Sequence, residues 1–429
     1  MNPLEKTIYD LVKRNPRLKL ALRNTYQRIL DWVPVPKLKS AFPIQSREGF
    51  FFGFHDHSPF SFDDQYLAAG KYPPASAAPM RMPTPEDALT VGYFTGPNWQ
   101  EWQPLAETYA WNWHQGCKLQ WRGQTRELIL NDHENSTNVT RIVNLDTGRQ
   151  RTIPQSIATV APDGNTAISY SFERVEKYMP GYGYPYQTGA PQLDTKRPDR
   201  DGIYSINLNT GESRLLFSIA DIAAMIKDEP TAADAWHFHS HARFSPSGQR
   251  FAFLHRWTRD DPRQRWSKIV TADLDGQDIR IYPHREMASH LAWRNENELL
   301  VYCRDINLRD AYIIFDDRDP NNWRHVGDHA FNSDGHPSFD PSGNIFVTDT
   351  YPDRFRIQRL ELYDLRKERK TTIAKLKTYR RFASLDPYRH WACDLHPRFD
   401  HSGRYICFDA TYTGKRSLCT VDLEKPSHP

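Results

Sequence analysis

From about residue 49 to the C-terminus, short apolar runs alternate with polar turn signals. Segments such as RFAFLHRW (250–257), SKIVTADLDG (267–276), NIFVTDTY (344–351), YICFDAT (405–411) and SLCTVDL (417–423) are rich in β-branched and aromatic residues and short enough to be single strands. They are bounded by APDG (161–164), SPSG (245–248), DPSG (340–343) and DHSG (400–403), sequences that pre-set a tight reversal. The pattern predicts strands joined by tight turns.

These units repeat. A histidine, two residues and an aromatic recur as HSPF (57–60), HARF (241–244), HLAW (290–293), HPSF (336–339) and HPRF (396–399). KLQW (118–121) and IATV (157–160) fill the same slot without the histidine. Seven units therefore start near 57, 118, 157, 241, 290, 336 and 396, at spacings of 61, 39, 84, 49, 46 and 60. A four-stranded propeller blade needs about 40 to 50 residues, so the period predicts an all-β, seven-bladed β-propeller. The one large excess falls on SFERVEKYMPGYGYPYQTGAPQLDTKRPDRDG (171–202), which reads as an inserted loop.

The first residues have a different period. Residues 1–33 read as two short amphipathic helices separated by Pro16; in the second, Leu18, Leu22, Tyr26, Ile29, Leu30 and Val33 recur at helical spacing among Arg17, Lys19, Arg23 and Arg28. The domain reading is a helical extension over 1–40 and the propeller over 41–429. The extension suits packing on the propeller's side, a peripheral contact with an anionic membrane, or a partner protein. It has no continuous apolar core of the secretory kind, which predicts a cytoplasmic protein.

Composition narrows the classes. Lys+Arg 56 against Asp+Glu 53 leaves a net charge of +3, without the basic field of a nucleic-acid binder. The five cysteines are scattered, with no C-x-x-C pair, as expected of a reducing compartment. No serine nucleophile elbow, glycine-rich phosphate loop or H-E-x-x-H helix is present, so hydrolase, kinase and metalloprotease readings lose support.

If the seven units are equivalent, His241, His290, His336 and His396 begin inner strands of four consecutive blades and converge on the axis. An arc of imidazoles suits Zn²⁺, with Mn²⁺ or Fe²⁺ as alternatives, and Asp334 or Asp394, each two residues before a histidine, is placed to orient a ligand. Cys303 and Cys393 are further candidate ligands; His237 and His239 are weaker ones. A second group comprises His114 in WNWHQGCKLQW and His133 in LILNDHENS, one strand-turn-strand apart. The inserted loop adds Tyr178, Tyr182, Tyr184 and Tyr186, then Arg197 and Arg200. Histidine, tyrosine and arginine in one cleft suit proton abstraction beside a carboxylate: the arginine neutralises developing charge while His or Tyr moves the proton.

Taken together, FFGFHDHSPF, WNWHQGCKLQW, LNDHENS, PGYGYP, FAFLHRW, SHLAWR, DGHPSFDPSG, TDTYPDR and DLHPRFDHSG resemble seven-bladed propeller polysaccharide lyases of the ulvan lyase type. The H-P-x-F-x-P-x-G units are more distantly similar to those of oligogalacturonate lyases. The resemblance covers roughly residues 49 to 423. It implies β-elimination at a uronic acid of an acidic polysaccharide, by two histidines about one hairpin apart, a tyrosine and an arginine. His114 and His133 match the histidines; Tyr184 and Arg200 are assigned to the other roles, with Tyr182 and Arg197 as alternates. It also implies a structural zinc on the axial arc. Lyases that feed on polymer are normally exported, so a cytoplasmic member would act in making or trimming a surface polysaccharide. The rival reading is a non-catalytic propeller that binds glycan or scaffolds a synthesis complex; a third is a metal-dependent hydrolase or isomerase at the axis.

Overall fold

The computed structural model describes residues 30, 33–78, 80–185, 190–383 and 390–425. The two helices expected over residues 1–33 lie outside these, apart from residues 30 and 33. Seven antiparallel sheets form the blades of a propeller, in chain order. Each aromatic, or Val160, of the repeated unit closes an inner strand, as at Gln120–Trp121, Thr159–Val160, Trp236–Phe244, Arg285–Trp293, Ser338–Phe339 and Arg398–Phe399; in blade 1, Phe60 makes an isolated bridge to Leu67. The turn that follows leads to the second strand of the same blade, and alternate apolar side chains pack between sheets. The expected period is thus the blade period.

The ring closes with a strand from the other end of the chain. Ile44–Glu48 pairs with Ser417–Asp422, from Ile44 opposite Val421 to Glu48 opposite Ser417, as the outer strand of blade 7. Leu38–Ser40, which the sequence reading assigns to the extension, adds a fifth strand to blade 6 against Arg369–Lys377.

Two buried aspartates fix neighbouring blades. Asp349, ending the second strand of blade 6, accepts from the backbone N–H groups of Leu395 and His396 in blade 7 (2.9 and 3.1 Å). Asp409, at the matching place in blade 7, accepts from Phe52 and Gly53 in blade 1 (3.1 Å each). A buried carboxylate is tolerated when such donors satisfy it, so each blade sets the backbone from which the next blade's axial residues project.

The insertion lies within blade 3, between Thr166–Ser169 and Gly202–Asn207. It opens with the helix Phe172–Tyr178, capped by Ser171, whose hydroxyl accepts from Arg174 N–H. The buried Arg174 guanidinium then donates to the carbonyls of His237 (2.6 Å), Gln192 (3.1 Å) and Leu193 (3.3 Å), so the loop folds round one cation. No helix among the described residues is long and apolar enough to cross a membrane.

Candidate active site at the propeller axis

The phenyl ring of Phe54 stands among the four predicted axial histidines, with centroid distances of 4.9 Å to His241, 5.8 Å to His290, 5.9 Å to His336 and 5.0 Å to His396. His290 and His336 are 4.1 Å apart, and His336 and His396 4.3 Å. His55 joins from blade 1, 5.4 Å from His336. The four side chains do converge, and they do so around a phenyl group.

Each histidine has a distinct electrostatic setting. His336 Nδ1 donates to Asp349 at 2.8 Å, and this contact with an anion raises its pKa in spite of burial. His290 Nδ1 lies 3.1 Å from Asp334, so Asp334 orients the histidine of the preceding blade, not the one that follows it in sequence. Burial holds His241, His396, His55 and His114 well below the ordinary histidine range, which makes them neutral imidazoles at neutral pH. Among the described residues, both ring nitrogens of His396 and Nδ1 of His241 are buried without a hydrogen-bond partner. His241 and His396 also hold φ of 58° and 45°, and Lys118, in the same slot of blade 2, holds 54°. Such left-handed backbone costs about 1 kcal/mol or more per non-glycine residue and is retained where its surroundings enforce it.

His114 is brought to this group by two loops locked together. Asn112 Oδ1 accepts from the N–H groups of His114 (3.0 Å) and Gln115 (2.7 Å), while its amide donates to the Gly183 carbonyl (2.9 Å). Glu176 Oε2 accepts from Gly181 and Gly183 N–H (2.9 and 3.1 Å), which shapes the turn of the inserted loop. Gly181, at φ +92°, lies so close to His390 that a Cβ would stand 2.7 Å from the His390 Cβ. The result is a stack in which the Tyr182 ring lies 4.7 Å from His114 at 18°, with His114 Nε2 bonded to His390 Nδ1. Burial pushes Tyr182 up to about 12 and His390 down to about 4, so one is a phenol and the other a free base at neutral pH. Arg256 and Arg265 act on Tyr182 and supply positive charge beside it.

The remaining predicted residues make other contacts. His133, on Glu127–Glu134, pairs with Asn138 through Nδ1 at 3.1 Å. Tyr184 is wholly buried: its ring stacks on Phe172 at 4.7 Å and its hydroxyl accepts from Asn131 at 2.7 Å, so it is a core residue of the loop. Arg197 and Arg200 are exposed. Among the described residues, Tyr182 is the loop tyrosine that stacks on His114, and Arg256 and Arg265 are the cations that act on it. Cys303 and Cys393 are buried thiols whose pKa burial raises, Cys393 to about 12, which opposes thiolate ligation. His237 and His239 belong to a separate chain in blade 4, in which His237 Nδ1 meets His255 Nε2 (2.9 Å) and His255 Nδ1 meets His239 Nδ1 (3.3 Å).

Among the described residues, the donor atoms that come within 4.8 Å of one another as a possible metal set are those of His114, Asp394 and His396. Of the four expected axial ligands this set contains His396 alone, joined by His114, which was assigned to the chemistry. Two imidazoles and a carboxylate suit Zn²⁺ or Mn²⁺, and the orphaned buried nitrogens of His396 fit a cation placed there. Burial pushes Asp394 up to about 6, the penalty that a bound cation would offset.

No family model and no curated protein matches the chain. Solved structures do. An oligogalacturonate lyase from Vibrio parahaemolyticus aligns with a TM-score of 0.56 at 13% identity, covering 90% of this chain and 97% of that one. An oligogalacturonate lyase in complex with manganese aligns at 0.58, also at 13% identity, covering 91% and 98%. The β-propeller domain of the Trilobed protease from Pyrococcus furiosus aligns at 0.49 with 10% identity, covering 85% and 96%. At 13% identity the likeness to the two lyase structures shows the propeller fold alone.

Proposed function

We propose that this propeller is a lyase that cleaves a uronate-containing glycan by β-elimination at the axial cleft. The observation that carries the reading is the stack of Tyr182 on His114, with His390 bonded to His114 and Arg256 and Arg265 alongside. With the shared proton on His390 Nδ1, His390 Nε2 presents a lone pair 3.5 Å from the Tyr182 hydroxyl. That nitrogen removes the proton at C5 of the uronate, and the Tyr182 phenol protonates the departing glycosidic oxygen at C4. The two arginines neutralise the carboxylate on which the developing charge is delocalised. Asp394 and His396 would hold a divalent cation, zinc or manganese, whose charge would further acidify the C5 proton, while His114, whose Nε2 accepts the His390 proton, has no lone pair left to join them. Overlap along nearly the whole chain with oligogalacturonate lyases, one of them a manganese complex, supports both the class and the metal.

The test is the ultraviolet absorbance of the unsaturated uronate product while purified protein is incubated with a panel of uronate polysaccharides. We expect a rise that Tyr182→Phe and His390→Ala each abolish. A rise abolished by His133→Ala but untouched by Tyr182→Phe would move the chemistry to the blade 2 face. No rise on any polymer, with the fold intact and metal bound, would overturn the lyase reading in favour of a propeller that binds glycan without cleaving it.

A further inference from the structure

The repeated unit carries a second message in its third position. His241 and His396 sit in left-handed backbone, so strand alternation does not run on from them; it is the lining of the cavities at the turns that places the residue two beyond the histidine. In HARF and HPRF that residue is arginine, Arg243 and Arg398; in HPSF it is Ser338. The structure gathers these with His57 and Ser58 of blade 1 around a cavity of about 260 Å³, and Arg243 also borders an adjoining one of about 450 Å³. The Pro341, Pro246 and Pro162 turns line these cavities, so they open where the inner strands end.

The charges there are unevenly matched. Arg398 is committed to structure, donating to the carbonyls of Phe54 (3.1 Å) and Gly53. Asp56, which borders the larger cavity, is already bound by Lys118 at 2.5 Å, and Asp400, which lines the smaller one, accepts from the Ser402 hydroxyl (2.5 Å) and Tyr405 N–H (2.9 Å). Arg243 has five N–H donors, yet among the described residues its side chain makes one long bond, to the Leu291 carbonyl at 3.4 Å. Ser58 Oγ accepts from Phe60 N–H at 3.2 Å, which leaves its own proton for another acceptor. A partly buried guanidinium short of acceptors, beside hydroxyl donors, is the arrangement that an oxyanion completes through charge-assisted bonds.

We propose that the cavity at the inner-strand turns is an anion-binding site, built on Arg243 with Ser58 and Ser338, for a small carboxylate- or phosphate-bearing ligand. Its lining shares no residue with the His114 stack, and it stands whether or not the lyase reading does.

Calorimetric titration of the full-length protein with inorganic phosphate, and separately with succinate, tests it. We expect one saturable equivalent per chain for at least one of the two anions, and the tighter binder names the headgroup. Arg243→Gln should weaken binding by about tenfold or more, the loss of a charge-assisted pair, while Arg243→Lys retains part of it and His114→Ala binds as wild type. Circular dichroism and thermal melting without anion report whether each variant folds. If Arg243→Gln does not fold, the double variant Ser58→Ala/Ser338→Ala is read instead, with the same weakening expected. No binding of either anion to wild type would overturn the proposal. So would unchanged affinity in the folded arginine or serine variant.

Discussion

Acid should unfold this protein through its buried histidines, and the effect can be sized from four that lie outside the axial cluster. His237, His239 and His284 are at most 2% exposed, and His57 is nearly as enclosed, with 11% of its side chain exposed. Burial lowers His57 and His237 to about 4, and His239 and His284 to about 3, against an ordinary 6.5. A histidine whose folded pKa is depressed is protonated first in the unfolded chain, so the unfolded state gains protons as pH falls below about 6.5 while the native state resists until about 4. Stability is therefore full above the unfolded value and is lost on acidification through that window. Between pH 7 and pH 5 each such group costs about 2 kcal/mol. Four together approach about 8 kcal/mol, comparable to the whole stability of a typical domain. Chemical denaturation monitored by tryptophan fluorescence at intervals from pH 7 to pH 5 measures this. Near pH 5.5 these four alone contribute about three to four protons taken up on unfolding, and the measured slope should be at least that. A total change under about 1 kcal/mol would refute the reasoning, because it would mean that these imidazoles are solvated or already charged in the native protein.

Three further outcomes follow from named contacts. Tyr184→Phe removes an acceptor from Asn131 and should lower stability by about 1 kcal/mol in urea denaturation while leaving lyase turnover unchanged; Tyr182→Phe should do the reverse, lowering kcat by about 100-fold or more. Metal analysis by inductively coupled plasma spectrometry should find about one equivalent of zinc or manganese in wild type and little in the His396→Ala/Asp394→Asn double variant, with the blade fold retained by circular dichroism. Arg174→Ala strands several buried carbonyls, and limited proteolysis should then cut between residues 172 and 201 much faster than in wild type, at a stability cost of about 3 kcal/mol.

The propeller was legible because it is written in local chemistry. Each turn from APDG to DHSG sets its own reversal, each aromatic ends its own inner strand, and the spacing of units counts the blades without reference to any distant contact. The insertion showed itself as an excess in that spacing. The convergence of His241, His290, His336 and His396 also followed from period alone, since equivalent positions of a closed ring must face its axis.

What the sequence left open depends on which loops touch across the ring. His390 lies 276 residues from His114, and no spacing rule connects them; they meet because Asn112 and Glu176 hold two loops that Gly181 allows to pack on His390. Tyr182 and Tyr184 are alike in sequence, both in a Gly/Pro loop. Their roles separate only when one hydroxyl is bonded to Asn131 in the core while the other ring covers His114. Arg200 satisfied the sequence rule for a cation near the loop, but the loop folds around Arg174 and leaves Arg200 exposed, so the positive charge at Tyr182 comes from Arg256 and Arg265 of blade 4. Periodicity determines which residues face the axis because it is a property of one strand. Which of them act together is decided by side-chain contacts between blades, and these exist only once the ring has closed.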